Sequence, residues 1–266
     1  MIANKYKIIE KINEGSFGIV FSAENILNKE IFAIKFENKT ENTKSLKNEA
    51  KIYQYLGKLD GFPQLKLFGT TEKYNYLVMN LLGKSLENVI SNNEMLSPQN
   101  ILHIGIQIIK RIQTLHSMFL LHRDIKPSNF LFGTGDNNNK LFLVDFGFTK
   151  RYNYDGKHIE KKKINNIVGS INFVSLNVHH KIEPSRRDDI ESGIYVILNM
   201  VLGKLQWFNK TNQEEIIQLK SHILLDNNVP IFLKDMLRYV WSIKFDEDPN
   251  YDYLVNLMVI ELSSYA

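Results

Sequence analysis

The hydrophobic periodicity of the chain changes near residue 80, and this change limits the folds open to it. Before that point most segments are short, rich in β-branched and aromatic residues, and typical of strands. These segments are 6–12, 18–23, 30–36 and 75–80. One segment, 46–56, has helical spacing instead. Its periodic positions are Leu46, Glu49, Ala50 and Tyr53. The first part of the chain is therefore predicted to be a β-sheet with one helix.

From residue 84 the pattern becomes helical. Ser97 followed by Pro98 is typical of an N-cap with proline in the first turn. An apolar stripe follows, and such a stripe is usually the side of a helix that faces the core. It consists of Ile101, Ile104, Ile108, Ile112 and Leu115. Further helices are predicted at 188–202, at 213–225 and near the C-terminus.

A β-rich part thus joins a helical part near residues 81–83, which predicts an α+β fold with a cleft at the junction. The polar run 133–140 between two apolar runs predicts a hairpin turn. We find no internal repeat.

Composition excludes several classes of site. The 266 residues contain no cysteine, so disulfides, thiolate metal sites and a cysteine nucleophile are ruled out. The net charge of +4 is too small to argue for nucleic acid or a membrane surface. The N-terminal residues carry scattered charges, unlike a signal peptide. The longest apolar run, 195–202, is too short to span a bilayer.

Two motifs in the first part are suited to phosphate. The segment E-G-S-F-G-I-V at 14–20 contains glycines that would let backbone amides approach a phosphate, although such a match is also common in plain turns. It lies between two strands, so it is neither a dinucleotide fingerprint nor a Walker loop. Lys35 lies in the middle of a predicted strand, and a buried ammonium needs a partner, for which Glu49 is the candidate. A lysine on a solvated strand face is the alternative.

Two further motifs lie in loops after apolar runs. In L-L-H-R-D-I-K-P-S-N-F-L-F, residues 120–132, Asp124 is placed to accept a proton and Lys126 to neutralise phosphate, while Asn129 offers an oxygen to a metal ion. His122 is interpreted as a packed structural residue. Asp145, in V-D-F-G-F, follows an apolar strand and is a sensible magnesium ligand.

In order, these motifs are G-x-x-G, A-I-K, Glu, H-R-D-I-K-P-S-N and D-F-G, a set that resembles the signature of eukaryotic protein kinases. The K-P-x-N form resembles serine/threonine kinases. The second half of the chain is similar to the casein kinase 1 family. The similar segments are L-L-G-K-S-L-E-N (81–88), I-N-F-V-S-L-N-V-H (171–179), E-P-S-R-R-D-D-I-E-S (183–192) and F-D-E-D-P-N-Y-D-Y-L (245–254). That family has S-I-N in place of A-P-E, and here the match is S-L-N at 175–177.

The resemblance implies a bilobal kinase fold in one domain, 1–266. It has a small antiparallel N-lobe with one helix (1–80), a hinge (80–83) and a larger, mainly helical C-lobe (84–266). It also implies roles for individual residues. The implied catalytic residues are Asp124, Lys126 and Asn129. The implied ligands of Mg²⁺ are Asn129 and Asp145. The implied ATP-binding residues are Ile12, Asn13, Glu14, Gly15, Ser16, Phe17, Gly18, Val20, Ala33, Lys35, Glu49, Met79, Asn80, Leu82 and Leu131.

Within that set, Lys35 would bind the α- and β-phosphates and Glu49 would orient it. Ile12, Val20, Ala33 and Leu131 would enclose adenine, with Met79 as gatekeeper and the backbone of residues 80–82 as hinge. Asp189 resembles the buried aspartate that braces the catalytic loop.

The chain departs from the family pattern at two points. Asn13 replaces the first loop glycine, and we expect a modest loss because asparagine tolerates unusual backbone angles. Asn172 replaces an arginine that helps bind an anion such as a substrate phosphate. The partner lysine falls on Gln218, or with a gap on Lys220. Because phosphate binding relies on paired basic groups, we expect a weakened preference for pre-phosphorylated substrates.

Other basic residues would still attract acidic substrates, although a run of lysines is also typical of a solvated loop. They are Lys161, Lys162, Lys163, Arg186 and Arg187. The chain ends soon after the F-D-E-D-P block, so we expect no regulation by a long tail, and the resemblance implies constitutive competence.

The leading hypothesis is therefore an ATP- and Mg²⁺-dependent serine/threonine kinase of casein kinase 1 type, acting on acidic proteins. We expect it to be a monomer, cytoplasmic or nuclear or both, with no nucleic-acid or membrane partner. The alternative is a pseudokinase that serves as a binding module. Pseudokinases usually lose one of four key residues, and all four are present here: Lys35, Asp124, Asn129 and Asp145.

Overall fold

The computed structural model describes residues 1–15, 18–39, 45–92 and 96–265, and the chain divides into two units. The first consists of Met1–Lys84 and Leu131–Gly147, and the second of Ser85–Phe130 and Phe148–Ala266. Residues 131–147 follow the predicted hinge in sequence but cluster with the first unit. Ser16 and Phe17, two of the implied ATP-binding residues, lie outside the described residues.

The first unit contains a five-stranded antiparallel sheet with strand order β1-β2-β3-β5-β4. Its strands are β1 (Tyr6–Gly15), β2 (Gly18–Asn25), β3 (Ile31–Asn38), β4 (Leu65–Thr70) and β5 (Tyr74–Asn80). On one side the sheet buries a cluster of mostly aromatic and β-branched residues. The cluster consists of Tyr6, Ala23, Phe32, Ile34, Tyr76 and Val78.

One helix, α1 (Ser45–Leu56), contacts strands β4 and β5. It buries the positions that the sequence spacing singled out: Leu46, Glu49, Ala50 and Tyr53. The unit is completed by the hairpin of β7 (Phe130–Phe132) and β8 (Leu141–Leu143), which confirms the predicted turn between them. The predicted sheet with one helix is thus confirmed.

The second unit is mainly helical. Its helices are α2 (Leu86–Ser91), α3 (Pro98–Ser117), α4 (Leu176–His179), α5 (Arg186–Leu202), α6 (Gln213–Ser221), α7 (Ile231–Ser242) and α8 (Tyr251–Ser263). Two short ribbons accompany them. These ribbons are β6 (Leu120–Leu121) with β9 (Lys150–Arg151), and β10 (Asn153–Tyr154) with β11 (Lys157–His158). Helix α3 begins as predicted, because the Ser97 side chain accepts a hydrogen bond from the Asn100 amide.

Helix α5 is the centre of this unit and is buried along most of its length. It contacts α3 and α7, and α3 also contacts α8. A helix surrounded on every side cannot place charged groups in water, so its acidic residues need internal partners. Those partners, described below, lie in the loop after β6 and at the start of α4. None of the helices in the described part of the chain combines the length and the apolar character that a membrane span requires.

Candidate active site

In the first unit, a lysine forms ion pairs with two acidic side chains. Lys35 Nζ lies 2.7 Å from Glu49 Oε2 and 2.9 Å from Asp145 Oδ1. Strand β3 carries the lysine, α1 carries Glu49, and Asp145 follows β8. The predicted Lys35–Glu49 pair is confirmed, and the alternative of a solvated lysine is wrong because Lys35 is buried.

The electrostatics of this cluster keep the lysine charged. Burial acts to lower the pKa of Lys35, but the carboxylates of Glu49 and Asp145 outweigh it, so the pKa is raised. Burial raises the pKa of Glu49 to about 7, against the opposing effect of the lysine. The cluster therefore fixes an ammonium beside the Asp145 carboxylate, whose side chain is 23% exposed and is the most accessible of the three.

The backbone at Asp145 is held in an uncommon conformation. Its φ is +66°, which is unfavourable for a residue with a side chain. The Asp145 amide donates to the hydroxyl of Tyr53 (3.2 Å), and Phe146 packs edge-on against the Tyr53 ring at 4.9 Å. Helix α1 thus supports Asp145 through Tyr53 as well as holding Lys35 through Glu49.

Strands β1 and β2 form the hairpin that carries the glycine motif, with Gly15 opposite Gly18. A Cβ at Gly18 would lie 1.9 Å from the Phe36 carbonyl oxygen, and its φ is +126°, so packing against β3 requires glycine there. A Cβ at Gly15 would meet no described atom within 4 Å. Asn13 is accommodated in β1, where its side chain accepts from the Glu14 amide at 2.8 Å.

The residues expected to enclose adenine all belong to the first unit. Ala33 and Met79 are buried and directly opposite each other on β3 and β5. Val20 and Leu131 are partly buried, whereas Ile12 is 48% exposed. After β5, the Asn80 side chain accepts from the Gln64 amide (3.0 Å), and the Gly83 amide donates to Phe132 (2.8 Å). The 80–83 segment is therefore fixed at both ends.

In the second unit, Asp124 has its carboxylate surrounded by donors. Lys126 Nζ lies 2.8 Å from Oδ2, and the Ser170 amide and hydroxyl donate to Oδ1 at 2.9 and 2.8 Å. The Asn129 side-chain amide donates to the Asp124 carbonyl at 2.8 Å. The sequence predicted that Asp124, Lys126 and Asn129 would act together, and the structure brings them together. Ser170 was not identified from the sequence, because its contact joins segments 46 residues apart.

Asp189, on α5, holds the start of this loop. Its carboxylate accepts from the His122 and Arg123 amides at 2.7 and 2.8 Å and lies 3.0 Å from His116 Nε2. Burial alone would raise the pKa of Asp189, but the hydrogen bonds from His116 and the backbone lower it. The predicted bracing aspartate is confirmed. His122 is fully buried, as its structural interpretation required.

Asn129 and Asp145 have the chemistry of magnesium ligands, since Mg²⁺ prefers hard oxygen atoms. The side-chain nitrogen of Asn129 donates to the Asp124 carbonyl. The side-chain oxygen of Asn129 is therefore the atom that a cation would contact. Asp145 presents a partly exposed carboxylate. The described residues contain no group of three histidine or acidic side chains suited to a metal. Nucleotide-bound magnesium typically needs only one or two protein oxygens beside phosphate and water, and Asn129 and Asp145 each have an oxygen of the required kind.

Three basic residues have partners that the sequence did not predict. Lys220 is fully buried, and its Nζ donates to the carbonyls of Val174 (2.7 Å) and Ile171 (3.3 Å). Arg186 contacts Asp248 and the Asp246 carbonyl. Arg187 donates to the Ile243 carbonyl at 2.6 Å. The expectation that the two arginines would attract acidic substrates is therefore wrong, because both guanidinium groups serve internal contacts.

A family model described as the protein kinase domain matches residues 6–246. This match covers most of the chain and coincides with the sheet, the ion cluster and the Asp124 loop described above. The chain belongs to the protein kinase family, a class of phosphotransferases. Membership implies ATP, a divalent metal ion that is usually Mg²⁺, and protein substrates.

Proposed function

We propose that this protein is an active serine/threonine kinase of casein kinase 1 type that transfers the γ-phosphate of Mg-ATP to acidic protein substrates. The observation that carries the proposal is the intact ion cluster of Lys35, Glu49 and Asp145 together with the organised carboxylate of Asp124. A binding module without catalytic activity would not need ion pairs and hydrogen bonds that fix the positions of these charged groups.

The casein kinase 1 assignment is supported by contacts between the two motifs most typical of that family. Ser175 and Asn177, from S-L-N, donate to Asp188 Oδ1 at 2.6 and 3.1 Å. Asp188 lies in S-R-R-D-D and also accepts from the Ser185 amide (2.7 Å). Glu191, one turn further along α5, accepts from the Leu176 amide at 2.9 Å. The two motifs thus form one hydrogen-bonded unit, which explains why they would occur together.

In the proposed reaction, Asp124 orients the serine or threonine hydroxyl and accepts its proton. The hydroxyl oxygen forms a bond to the γ-phosphorus as the bond between that phosphorus and the β–γ bridging oxygen breaks, leaving ADP. Lys126 stabilises the negative charge on the transferring group, and Lys35 binds the α- and β-phosphates. Magnesium held by Asn129 and Asp145 would supply further charge neutralisation. The protein contributes positioning and electrostatic stabilisation.

ATP would be bound by the first unit. We assign adenine to the apolar surface of Ile12, Val20, Ala33 and Leu131, with Met79 limiting its depth. The backbone of Asn80–Leu82 would supply hydrogen bonds to the base, and residues 13–18 would cover the phosphates.

Acidic substrates are proposed because Lys161, Lys162 and Lys163 are exposed on the segment between β11 and α4. The buried position of Lys220 and the presence of Asn172 support the weakened preference for pre-phosphorylated substrates. We further propose that the kinase is constitutively active, monomeric, and located in the cytoplasm, the nucleus or both.

Phosphate transfer from labelled Mg-ATP to casein would test the proposal. Wild type is compared with Asp145→Asn and with Asp136→Asn, an exposed aspartate in the β7–β8 turn. We expect transfer by wild type and Asp136→Asn, and little by Asp145→Asn. One acidic peptide is also tested bare and with an upstream phosphate, and we expect little difference. No transfer by folded wild type would favour the pseudokinase alternative.

A further inference from the structure

A buried carboxylate lies beside the arginine of the H-R-D sequence. Glu183 Oε1 is 2.7 Å from Lys150 Nζ and 4.0 Å from Arg123 Nη1. The Glu183 side chain is only 4% exposed, whereas Lys150 is 30% exposed. None of these contacts is part of the proposed phosphate transfer, so the role of Glu183 needs a separate explanation.

The three residues come from three different segments of the second unit. Arg123 immediately precedes Asp124, and its backbone amide is held by Asp189. Lys150 lies on β9, which pairs with β6 just before the Asp124 loop. The Glu183 amide donates to the Lys162 carbonyl (2.9 Å), so Glu183 also anchors the exposed lysine segment. A single carboxylate therefore connects the Asp124 loop with both ends of residues 150–183.

Arg123 is also attached to the chain that follows Gly147. Its Nε donates to the Phe148 carbonyl at 2.7 Å. The guanidinium would be costly to bury without a counter-charge. In many kinases an arginine at the catalytic loop is paired with a phosphate added to the following segment, and this pair orders the segment. Here a carboxylate of the chain itself lies beside that cation.

We propose that Glu183 substitutes for an activating phosphate, because its carboxylate pairs with Lys150 and Arg123 and holds residues 148–183 in place beside Asp124. Glu183 is a positioning residue: it acts through Arg123 and does not touch the reacting atoms. This inference rests on the proposed function and supplies a physical basis for constitutive activity.

The test uses phosphatase-treated protein whose intact mass confirms that no phosphate remains. The variants are Glu183→Gln, which removes the charge at constant size, Glu183→Ala, which also leaves space for an anion, and Glu183→Asp, which keeps the charge on a shorter side chain. Glu160→Gln is the matched control, since Glu160 is exposed on the same segment. We measure kcat, KM for ATP and peptide, and the thermal unfolding midpoint, each with added sodium sulfate and with sodium chloride of equal ionic strength.

We expect wild type and Glu160→Gln to keep full activity after phosphatase treatment. Glu183→Gln should lose about tenfold or more in kcat with an unchanged KM for ATP. In Glu183→Ala, sulfate, but not chloride, should restore part of that loss by pairing with Arg123 and Lys150, and Glu183→Asp should be intermediate. A purely structural residue would lower the unfolding midpoint without sulfate-dependent recovery of kcat.

Three results would overturn the role of Glu183 while leaving the proposed function intact. They are loss of wild-type activity on dephosphorylation, wild-type kcat in Glu183→Gln, and a loss that neither sulfate in Glu183→Ala nor aspartate at position 183 reduces. Absence of transfer by untreated wild type would overturn both proposals together.

Discussion

The carboxylate of Glu37 accepts a hydrogen bond from the backbone amide of Leu46 at 3.0 Å. Glu37 lies two residues beyond Lys35 on β3, and Leu46 lies in the first turn of α1, the helix that carries Glu49. The other Glu37 oxygen accepts from Asn75 on β5 (3.2 Å). One strand therefore holds α1 at two points, its N-terminus and the Lys35–Glu49 pair.

Glu37→Ala should weaken this attachment. It leaves the Leu46 amide and the Asn75 side chain without their buried acceptor, which should lower the free energy of unfolding by about 1–3 kcal/mol. Because α1 also positions Glu49, kcat/KM for ATP should fall. Urea unfolding and steady-state kinetics measure the two effects. Glu10→Ala, at an exposed position of β1, is the control, and an unchanged kcat/KM in Glu37→Ala would show that the contact has no effect on catalysis.

Lys35→Met should remove the fixed ammonium while retaining a long side chain. Loss of one preorganised charged donor typically costs about 10²–10³-fold in rate, and we expect that loss in kcat/KM for ATP. Kinetics on the folded variant provide the measurement, with Lys7→Met on β1 as the exposed control. Retention of more than a tenth of wild-type activity would show that Lys35 has only a structural role.

The double variant Asn172→Arg/Gln218→Lys should create a preference for pre-phosphorylated peptides. The double variant supplies the two basic groups that phosphate binding relies on. Lys220 cannot provide one of them in wild type, because its side chain is buried. The ratio of kcat/KM for phosphorylated and bare peptide should rise several-fold. His222→Lys adds a similar charge just beyond α6 and should leave the ratio unchanged. An unchanged ratio in the double variant would refute the assignment of the missing anion site.

Gly169→Ala should disturb the loop of Asp124. A Cβ there would lie 2.4 Å from the Arg123 carbonyl oxygen, and the next residue, Ser170, donates twice to Asp124. Since a displacement of about 1 Å near the reacting groups can cost about 10²-fold, we expect a loss of that order in kcat. Gly156→Ala has a similar positive φ (+81°) but no described atom within 4 Å of its Cβ. It should keep its activity, and equal losses in both variants would point to backbone strain alone.

Stability should fall in mild acid because of His179. Its Nε2 lies 3.1 Å from the ammonium of Lys220, and burial first, then that charge, lowers its pKa to about 3. Unfolded histidine has a pKa of about 6.5, so between these values the unfolded state binds a proton that the folded state does not. The contribution of His179 to stability is complete above about pH 6.5 and is lost progressively as the pH falls toward 3.

The corresponding measurement is the unfolding midpoint at about pH 7.5 and about pH 5. The decrease should be smaller in His179→Gln than in wild type. His103→Gln, on the exposed side of α3, should behave as wild type. Equal decreases in all three proteins would exclude His179 as a source of the pH dependence.

Local sequence patterns were sufficient for the elements and for part of the site. The spacing in 46–56 located α1, and an isolated lysine in an apolar strand was enough to pair Lys35 with Glu49. In both cases the signal comes from periodicity and from the cost of burying a charge, which are local properties.

The errors and omissions concern side chains whose partners are distant in sequence. Arg186 and Arg187 resemble surface charges until α5 is known to be buried. Glu37 lies in no motif, and the segment 183–192 was similar to a family without giving Glu183 a role. Ser170 and Lys220 likewise gain their roles only when separated segments come together. The sequence also did not indicate that residues 131–147 group with the first unit, because only contacts between distant segments show that β7 and β8 belong to it.

The attachment of residues 171–174 to Lys220 and Trp207 has a consequence for synthesis on the ribosome. The Trp207 indole donates to the Asn172 carbonyl (2.8 Å), and Lys220 donates to Ile171 and Val174. Both donors are translated after the segment that they hold, so this segment cannot reach its final conformation until α6 has emerged from the exit tunnel. The residues of the five-stranded sheet therefore leave the ribosome well before the segment that follows Ser170 can acquire these contacts.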